Sequence, residues 1–272
     1  MRRFVSAALL ATPFVFGACA DKDGGPTAPQ GSTQAQSQES ALMALEYTDA
    51  MIADTHELVA GDLTGIGTIA RQRLGERVGV DLGRSSTSAI WDPSNNAWVY
   101  YEEYDGPEGS FTFAYTIQFF DAEDVPQQNP NSSTNRVAYG LSIDMDVSYS
   151  NEGSSYDAVL GFDLGMEIGE ILTDTYSITG AGAMSGDVDA TDPNGHYVYS
   201  TDMGWGVDVT VPADGSECAT GVVGVQVDGW TVLATYDAAN QFYAWGMYEG
   251  DYTEGETPVA SGSGTSACVP AS

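Results

Sequence analysis

Between Val137 and Tyr149, apolar residues alternate with small or polar ones without interruption, and this pattern constrains the fold more than any other feature of the chain. Successive side chains of a β-strand point to opposite faces, so the run predicts a strand with one buried and one wet face. Similar runs predict further strands at 111–119, 156–164, 173–183, 197–211, 222–227, 231–236 and 241–248. Turn-forming residues separate them, and residues 91–98 read as a hairpin turn between short strands.

No predicted strand alternates with a helix, which argues against a βαβ fold. The sequence therefore predicts a mainly β protein with a single antiparallel meander of about eight to ten strands. This sheet would form a curved half-barrel, a barrel or a sandwich. One amphipathic helix is expected at 39–60, packed on the apolar face through Ala41, Leu45 and Ile52. Ser37 or Ser40 would cap it, and Glu46 and Asp49 would lie on its polar side.

The first 18 residues read as a secretory signal peptide, with Arg2 and Arg3 ahead of the apolar run Phe4–Phe16. The run Val15-Phe16-Gly17-Ala18-Cys19 resembles the lipobox of bacterial lipoproteins, although Phe16 stands where that family usually has Leu. The resemblance implies that Cys19 is lipidated and begins the mature chain, and an ordinary signal peptide is the alternative. Ala20 is similar to the pattern that permits sorting to an outer membrane.

The expected organisation is a signal peptide at 1–18, a lipidated flexible tether at 19–38 and one acidic β domain at 39–272. The formal net charge of −31 excludes binding to nucleic acid, because phosphates require Lys and Arg. Such a surface suits high salt and divalent cations. Four arginines cluster at 71–84, where pairing with the acidic body is the preferred interpretation over an anion site.

Cys218 and Cys268 remain as a pair in an exported chain, so a disulfide is the natural prediction. A reduced pair with a metal or redox role is the alternative, and no Cys-x-x-Cys motif supports it.

A calcium site is a further hypothesis, placed on a turn at 187–195. The candidate ligands are side-chain oxygens of Asp187, Asp189, Asp192 and Asn194. Their spacing misses the EF-hand pattern by one residue, so a plain hairpin turn is the competing interpretation.

Seven aromatic residues of the alternating runs are candidates for the core or for ligand contacts: Phe111, Tyr115, Phe119, Tyr139, Tyr149, Tyr197 and Trp205. A curved sheet with a covering helix resembles the architecture of periplasmic lipoprotein-carrier half-barrels, which implies a site for acyl chains. No catalytic motif is present, and the chain is not expected to be an enzyme. The predicted function is a membrane-anchored binding module for a hydrophobic or lipid-like ligand. The alternatives are a structural or surface-interaction protein with an acidic, calcium-assisted face, and a transmembrane β-barrel.

Overall fold

A computed structural model describes residues 33–60, 89–106, 109–151, 154–192, 195–215, 218–237 and 242–265. One helix, α1, spans Gln34–Ala60. The strands are β1 (Ile90–Asp92), β2 (Ala97–Gly106), β3 (Gly109–Phe120), β4 (Pro126–Gln127), β5 (Arg136–Asn151), β6 (Ser154–Gly169), β7 (Thr175–Asp192), β8 (Gly195–Pro212), β9 (Thr220–Val227), β10 (Trp230–Asp237), β11 (Phe242–Glu249) and β12 (Ala260–Thr265).

All twelve strands belong to one antiparallel sheet in the order β1-β2-β3-β5-β6-β7-β8-β9-β10-β11-β12, with β4 paired to β3. This is the expected antiparallel meander, with twelve strands instead of the predicted eight to ten, and β1 and β12 are its free edges. The mainly β prediction is therefore confirmed. The sequence left a half-barrel, a barrel and a sandwich as alternatives. The sheet is open, because β1 and β12 do not pair with each other.

The predicted strands all occur, but several are longer than the alternation suggested. β7 continues from the predicted end at Ala183 to Asp192, because Asp187 and Asp189 alternate with Val188 and Ala190 in a strand rather than forming a turn. The small residues of β12 gave no apolar signal, and the sequence did not predict that strand. Long central strands result, and the ends of β5 to β8 extend beyond β3 and β9.

The helix begins five residues earlier than predicted, within the segment assigned to the tether. Thr33 caps it: the Gln36 amide donates to the Thr33 hydroxyl, and the Thr33 amide donates to Gln36 Oε1. This reciprocal arrangement is a capping box, and its Thr-x-x-Gln signal is present in the sequence. Ser37, expected as a cap, is instead fully buried inside the helix. The leader, Cys19 and the arginine cluster at 71–84 lie outside the described residues.

The buried stripe of α1 is more polar than predicted. Among the α1 side chains that the structure describes, seven are less than 9 % exposed: Ser37, Ala41, Leu45, Thr48, Asp49, Ile52 and Thr55. At 100° per residue they cover an arc of about 120°, which is the width of an ordinary core-facing stripe. Ala41, Leu45 and Ile52 are buried as predicted, but the placement of Asp49 on the polar side was wrong, since polar residues extend the stripe on both sides. Thr48 satisfies its hydroxyl within the helix by donating to the Ala44 carbonyl.

The sheet curves around this helix. α1 lies against β8, β9 and β10. On one flank of the helix, Thr55 forms a hydrogen bond with Tyr139 of β5. On the other flank, the negative charge of Asp49 raises the pKa of Tyr236 of β10. Five strand intervals separate those tyrosines, about 24 Å on a flat sheet, whereas Asp49 and Thr55 are about 9 Å apart along the helix axis. Only a concave sheet brings both tyrosines to one helix.

Inner-face side chains of β2 to β11 join α1 in one core. Its members include Tyr100, Phe113, Val137, Tyr176 and Met247, each at most 1 % exposed. A small separate cluster around Ala158 and Val188 lies toward the far ends of the long strands. Within the described part of the chain, no helix is long and apolar enough to cross a bilayer.

Candidate binding surface

The seven predicted aromatics all lie on strands, and those with described side chains pack into the inner face. Tyr115 and Phe119 of β3 are buried, at 7 % and 2 % exposed. Phe111, Tyr139 and Trp205 are partly buried against the same core. Tyr149 and Tyr197 are on β5 and β8, and their side chains are outside the described set. The described aromatics therefore occupy core positions.

Buried tyrosines give the interior an unusual polar lining. Burial raises the pKa of Tyr115, Tyr139, Tyr176 and Tyr236 well above the ordinary value, because each phenolate would lose its hydration. The negative charge of Asp49 further raises the pKa of Tyr236, and the hydrogen bond from Thr55 partly opposes the rise in the pKa of Tyr139.

Two of these hydroxyls lack a hydrogen-bond partner in the described structure: Tyr115 Oη and Tyr236 Oη. Tyr236 stacks on Tyr243 with ring centroids 5.3 Å apart. Tyr139, by contrast, donates to Met166 Sδ at 3.0 Å. Orphaned buried hydroxyls are rare in native proteins, and each needs an explanation.

The predicted calcium ligands do not converge among the residues described. Asp187 and Asp189 are exposed on the outer face of β7, and Asp189 Oδ1 accepts a bond from His196 Nε2 at 2.7 Å. The side chain of Asp192 and the whole of Asn194 lie outside the described set. In the described ranges no group of three or more acidic, His or Cys side chains is placed to hold a metal ion.

Cys218 is buried just before β9, at 1 % exposed, and Cys268 lies three residues beyond the end of β12, outside the described residues. The register links Gly221 to Tyr236 and Tyr243 to Gly264, so β9 begins and β12 ends at the same end of the sheet. The predicted disulfide is compatible with this placement, and it stays a prediction.

The outer face carries a trough that sequence reasoning missed. The floor of this trough includes a row of outer-face residues, one from each of the six neighbouring strands β3 and β5 to β9. The row begins at Thr116 on β3, and its other members are glycine or alanine: Gly140, Gly165, Ala181, Gly206 and Gly224. A Cβ on Gly165 would meet nothing within 4 Å. Five strand intervals make this row about 24 Å long.

A second floor row lies beside the first and contains Ala114, Ser142, Asp163, Ala183, Gly204 and Gln226. Two depressions share this floor, with volumes of about 570 Å³ and about 650 Å³. The sequence shows the glycines, but only the strand register brings them into one line.

Carboxylates flank the trough on both sides. One wall carries Asp144, Asp202 and Asp228, and the opposite wall carries Glu167 and Asp208. The Asp228 carboxylate is fixed by the Asp202 amide at 3.2 Å. Among the residues described as lining the two depressions there is no Lys or Arg.

Arg136 is the one Lys or Arg in the described ranges, and it is already engaged. It bridges Asp124 and Glu167 at 3.0 and 2.9 Å, and its guanidinium lies 3.8 Å from the Phe120 ring centroid. Among the described residues, no other Lys or Arg lies near the remaining carboxylates of the outer face. No protein-family model, curated protein or solved structure matches this chain.

Proposed function

We propose that this chain is an exported, membrane-tethered, non-catalytic protein whose acidic outer face binds a cationic partner. The observation that supports it is the trough: a floor of small residues about 24 Å long, walled by Asp144, Asp202 and Asp208. Small side chains admit close approach of an extended ligand, and the carboxylates attract positive charge.

Carboxylate spacing favours an extended ligand over a single metal ion. Asp144 and Asp163 are one strand and two residues apart, about 8 Å, and Asp163 and Asp202 are about 12 Å apart. Calcium needs its oxygens within about 2.6 Å of one point. An extended peptide with basic residues at alternate positions repeats its charges about every 6.6 Å, close to the smaller of these spacings.

Binding of a hydrophobic or lipid-like ligand in the concave face has less support, because α1 and the core residues fill that face.

The test is calorimetric titration with an eight-residue peptide of alternating lysine and serine at low and moderate salt. Gly165→Leu fills the trough at a position where the added side chain has room. The control, Thr210→Leu, places the same leucine side chain at an exposed position of β8 beyond the wall. We expect Gly165→Leu to weaken binding at least about tenfold and Thr210→Leu to leave it unchanged. Equal affinity in both variants would show diffuse attraction to the acidic surface and refute a site in the trough.

The membrane tether is a separate part of the proposal, and it is supported by the lipobox-like run ending at Cys19. Lipidation would place the chain at a bacterial membrane, with the β domain on the periplasmic or outer side. Expressed in bacteria, the wild-type chain should incorporate labelled palmitate and fractionate with membranes, whereas Cys19→Ser should do neither. An unlabelled, soluble wild-type product would remove the anchor from the account.

A further inference from the structure

Strand β12 is a free edge of the sheet, and its own sequence carries nothing that blocks further pairing. It pairs with β11 in continuous register, and within the described residues no strand lies on its other side. Natural sheets protect such edges with charged side chains, proline, a bulge or a very short strand. β12 has six residues, with no charge, no proline and no bulge. The opposite edge, β1, has only three residues and includes Asp92.

The β12 edge also belongs to the uncharged end of a strongly acidic chain. The net charge is −31, yet no charged residue occurs from Thr257 to Ser272. Like charges that face each other across two strands are destabilising, so an uncharged edge is the place where a second copy of this chain can approach. In an antiparallel pair of copies, the acidic residues Glu254 and Glu256 of one copy lie toward the Thr265 end of β12 in the other. Their carboxylates are therefore kept apart.

Aromatic rings of β11 extend over the glycines of β12. Trp245 is paired with Gly262, and Tyr243 is paired with Gly264. A Cβ on Gly262 would lie 2.7 Å from Trp245 Cζ2, so the indole occupies the space above that glycine. The Tyr243 ring covers Gly264 in the same way. Trp245 is only partly buried against the core, so part of its ring remains available beside the free edge.

We propose that β12 pairs with β12 of a second copy, antiparallel and centred on Gly262. Directly opposite residues of two paired strands share one face of the sheet. This register therefore places Gly262 opposite Gly262, and Ser261 opposite Ser263, across the twofold axis. The two Trp245 rings then lie above adjacent strands, about 5 Å apart, which is within the range of aromatic contact. The trough lies on β3 to β9, so the dimer does not depend on it.

The interface is small, so a weak and salt-dependent dimer is expected. Five residue pairs bury much less surface than the roughly 1,600 Å² of a standard stable complex. Salt screens the repulsion between the two acidic copies, and sedimentation velocity on the full chain should show a monomer–dimer equilibrium. Its association constant should rise at least about fivefold between 0.15 M and 1 M NaCl. A chain that stays monomeric at millimolar concentration in about 1 M NaCl would overturn the proposal.

Paired charge variants test the register. Ser261→Glu with Ser263→Glu sets like charges opposite each other at both serine contacts and should weaken the dimer at least about tenfold. Ser261→Lys with Ser263→Glu sets opposite charges there and should restore the wild-type association constant or exceed it. Both serines are exposed, so these changes leave the core intact.

The matched control is Ser148→Glu with Ser150→Glu, which makes the same change at the same spacing on exposed positions of the central strand β5. It adds the same net charge far from the edge and should weaken the dimer less than about twofold. Equal association constants in the like-charge and opposite-charge variants of β12 would show that the copies do not pair in this register, and the proposal would fail.

Hydrogen exchange by mass spectrometry distinguishes a second copy from another segment of the same chain as the cover of this edge. Amides of β12 should exchange at least about tenfold more slowly at high protein concentration than at low, whereas those of β6 should not change. Protection of β12 that is independent of concentration would contradict pairing between copies. Gly165→Leu fills the trough and should leave the dimer intact, so failure of the trough proposal and failure of this one are distinguishable.

Discussion

The orphaned hydroxyl of Tyr236 makes a quantitative prediction about stability. The side chain is 3 % exposed, and Tyr236 Oη has no hydrogen-bond partner in the described structure. A buried hydroxyl without a partner costs about 1–3 kcal/mol of desolvation. Tyr236→Phe deletes that oxygen and keeps the ring stacked on Tyr243, 5.3 Å away. The free energy of unfolding should therefore rise by about 1 kcal/mol.

Tyr139→Phe is the matched control, because its hydroxyl is bonded to Met166 Sδ and to Thr55. Removing it should lower the free energy of unfolding by about 0.5–1.5 kcal/mol. The two variants differ from the wild type by the same single atom and should move in opposite directions. For a domain of this size, 1 kcal/mol shifts Tm by about 2–4 °C.

Urea denaturation followed by tryptophan fluorescence measures both variants without a membrane or ligand. A loss of stability in Tyr236→Phe equal to that in Tyr139→Phe would mean that a buried water or another group satisfies Tyr236. That result would refute the reasoning that its hydroxyl is unsatisfied while α1 is docked.

Other predictions follow from the same interior and surface. Burial raises the pKa values of four tyrosines in the folded protein: Tyr115, Tyr139, Tyr176 and Tyr236. Their contribution to the free energy of unfolding is therefore complete below about pH 10, the pKa of an unfolded tyrosine, and is lost as the pH rises toward the pKa values of the folded protein. Each tyrosine then contributes a slope of about 1.4 kcal/mol per pH unit, and native tyrosinate absorbance that titrates fully at pH 10 would contradict this. Arg136→Met should cost about 1 kcal/mol at low salt, discounted for exposure, and the loss should shrink in 1 M NaCl; a salt-independent loss would assign it to packing on Phe120. Cys218→Ser should cost up to about 4 kcal/mol, since the predicted bridge closes a loop of about 50 residues, and should match Cys268→Ser, whereas unequal losses would argue against the pair.

The fold was largely accessible from sequence, because period-two alternation records which face of each strand is buried. The run from Val137 to Tyr149 predicted β5 almost to the residue. Where that signal was weak, the prediction failed. The Ala-Ser-Gly residues of β12 have no apolar alternation, and the polar run that contains Asp187 and Asp189 was interpreted as a turn although it continues β7.

The helix shows why a helical wheel drawn from hydrophobicity alone misses buried polar residues. The predicted packing residues Ala41, Leu45 and Ile52 are buried, but Asp49 was assigned to the polar side and is buried too. The tyrosines of the surrounding sheet supply partners for polar residues, and Thr55 is buried against Tyr139. That partnership depends on the curvature of the sheet, which no local pattern encodes.

The trough was not predictable for a related reason. The sequence shows the four glycines of the floor at unequal separations along the chain: Gly140, Gly165, Gly206 and Gly224. Their alignment follows from strand register, and a shift of one residue would place a glycine on the opposite face.

The central structural claim is that the open sheet curves around a helix whose buried stripe contains polar residues, and cysteine labelling tests it most directly. Single cysteines at Thr48, Asp49 and Ile52 of α1 should react with a maleimide probe at least about 100-fold more slowly than cysteines at Glu39 and Glu46, because the first three are at most 6 % exposed and the last two are exposed. Similar labelling rates at all five positions would show that α1 does not lie in the concave face, and the account of the interior would fail with it.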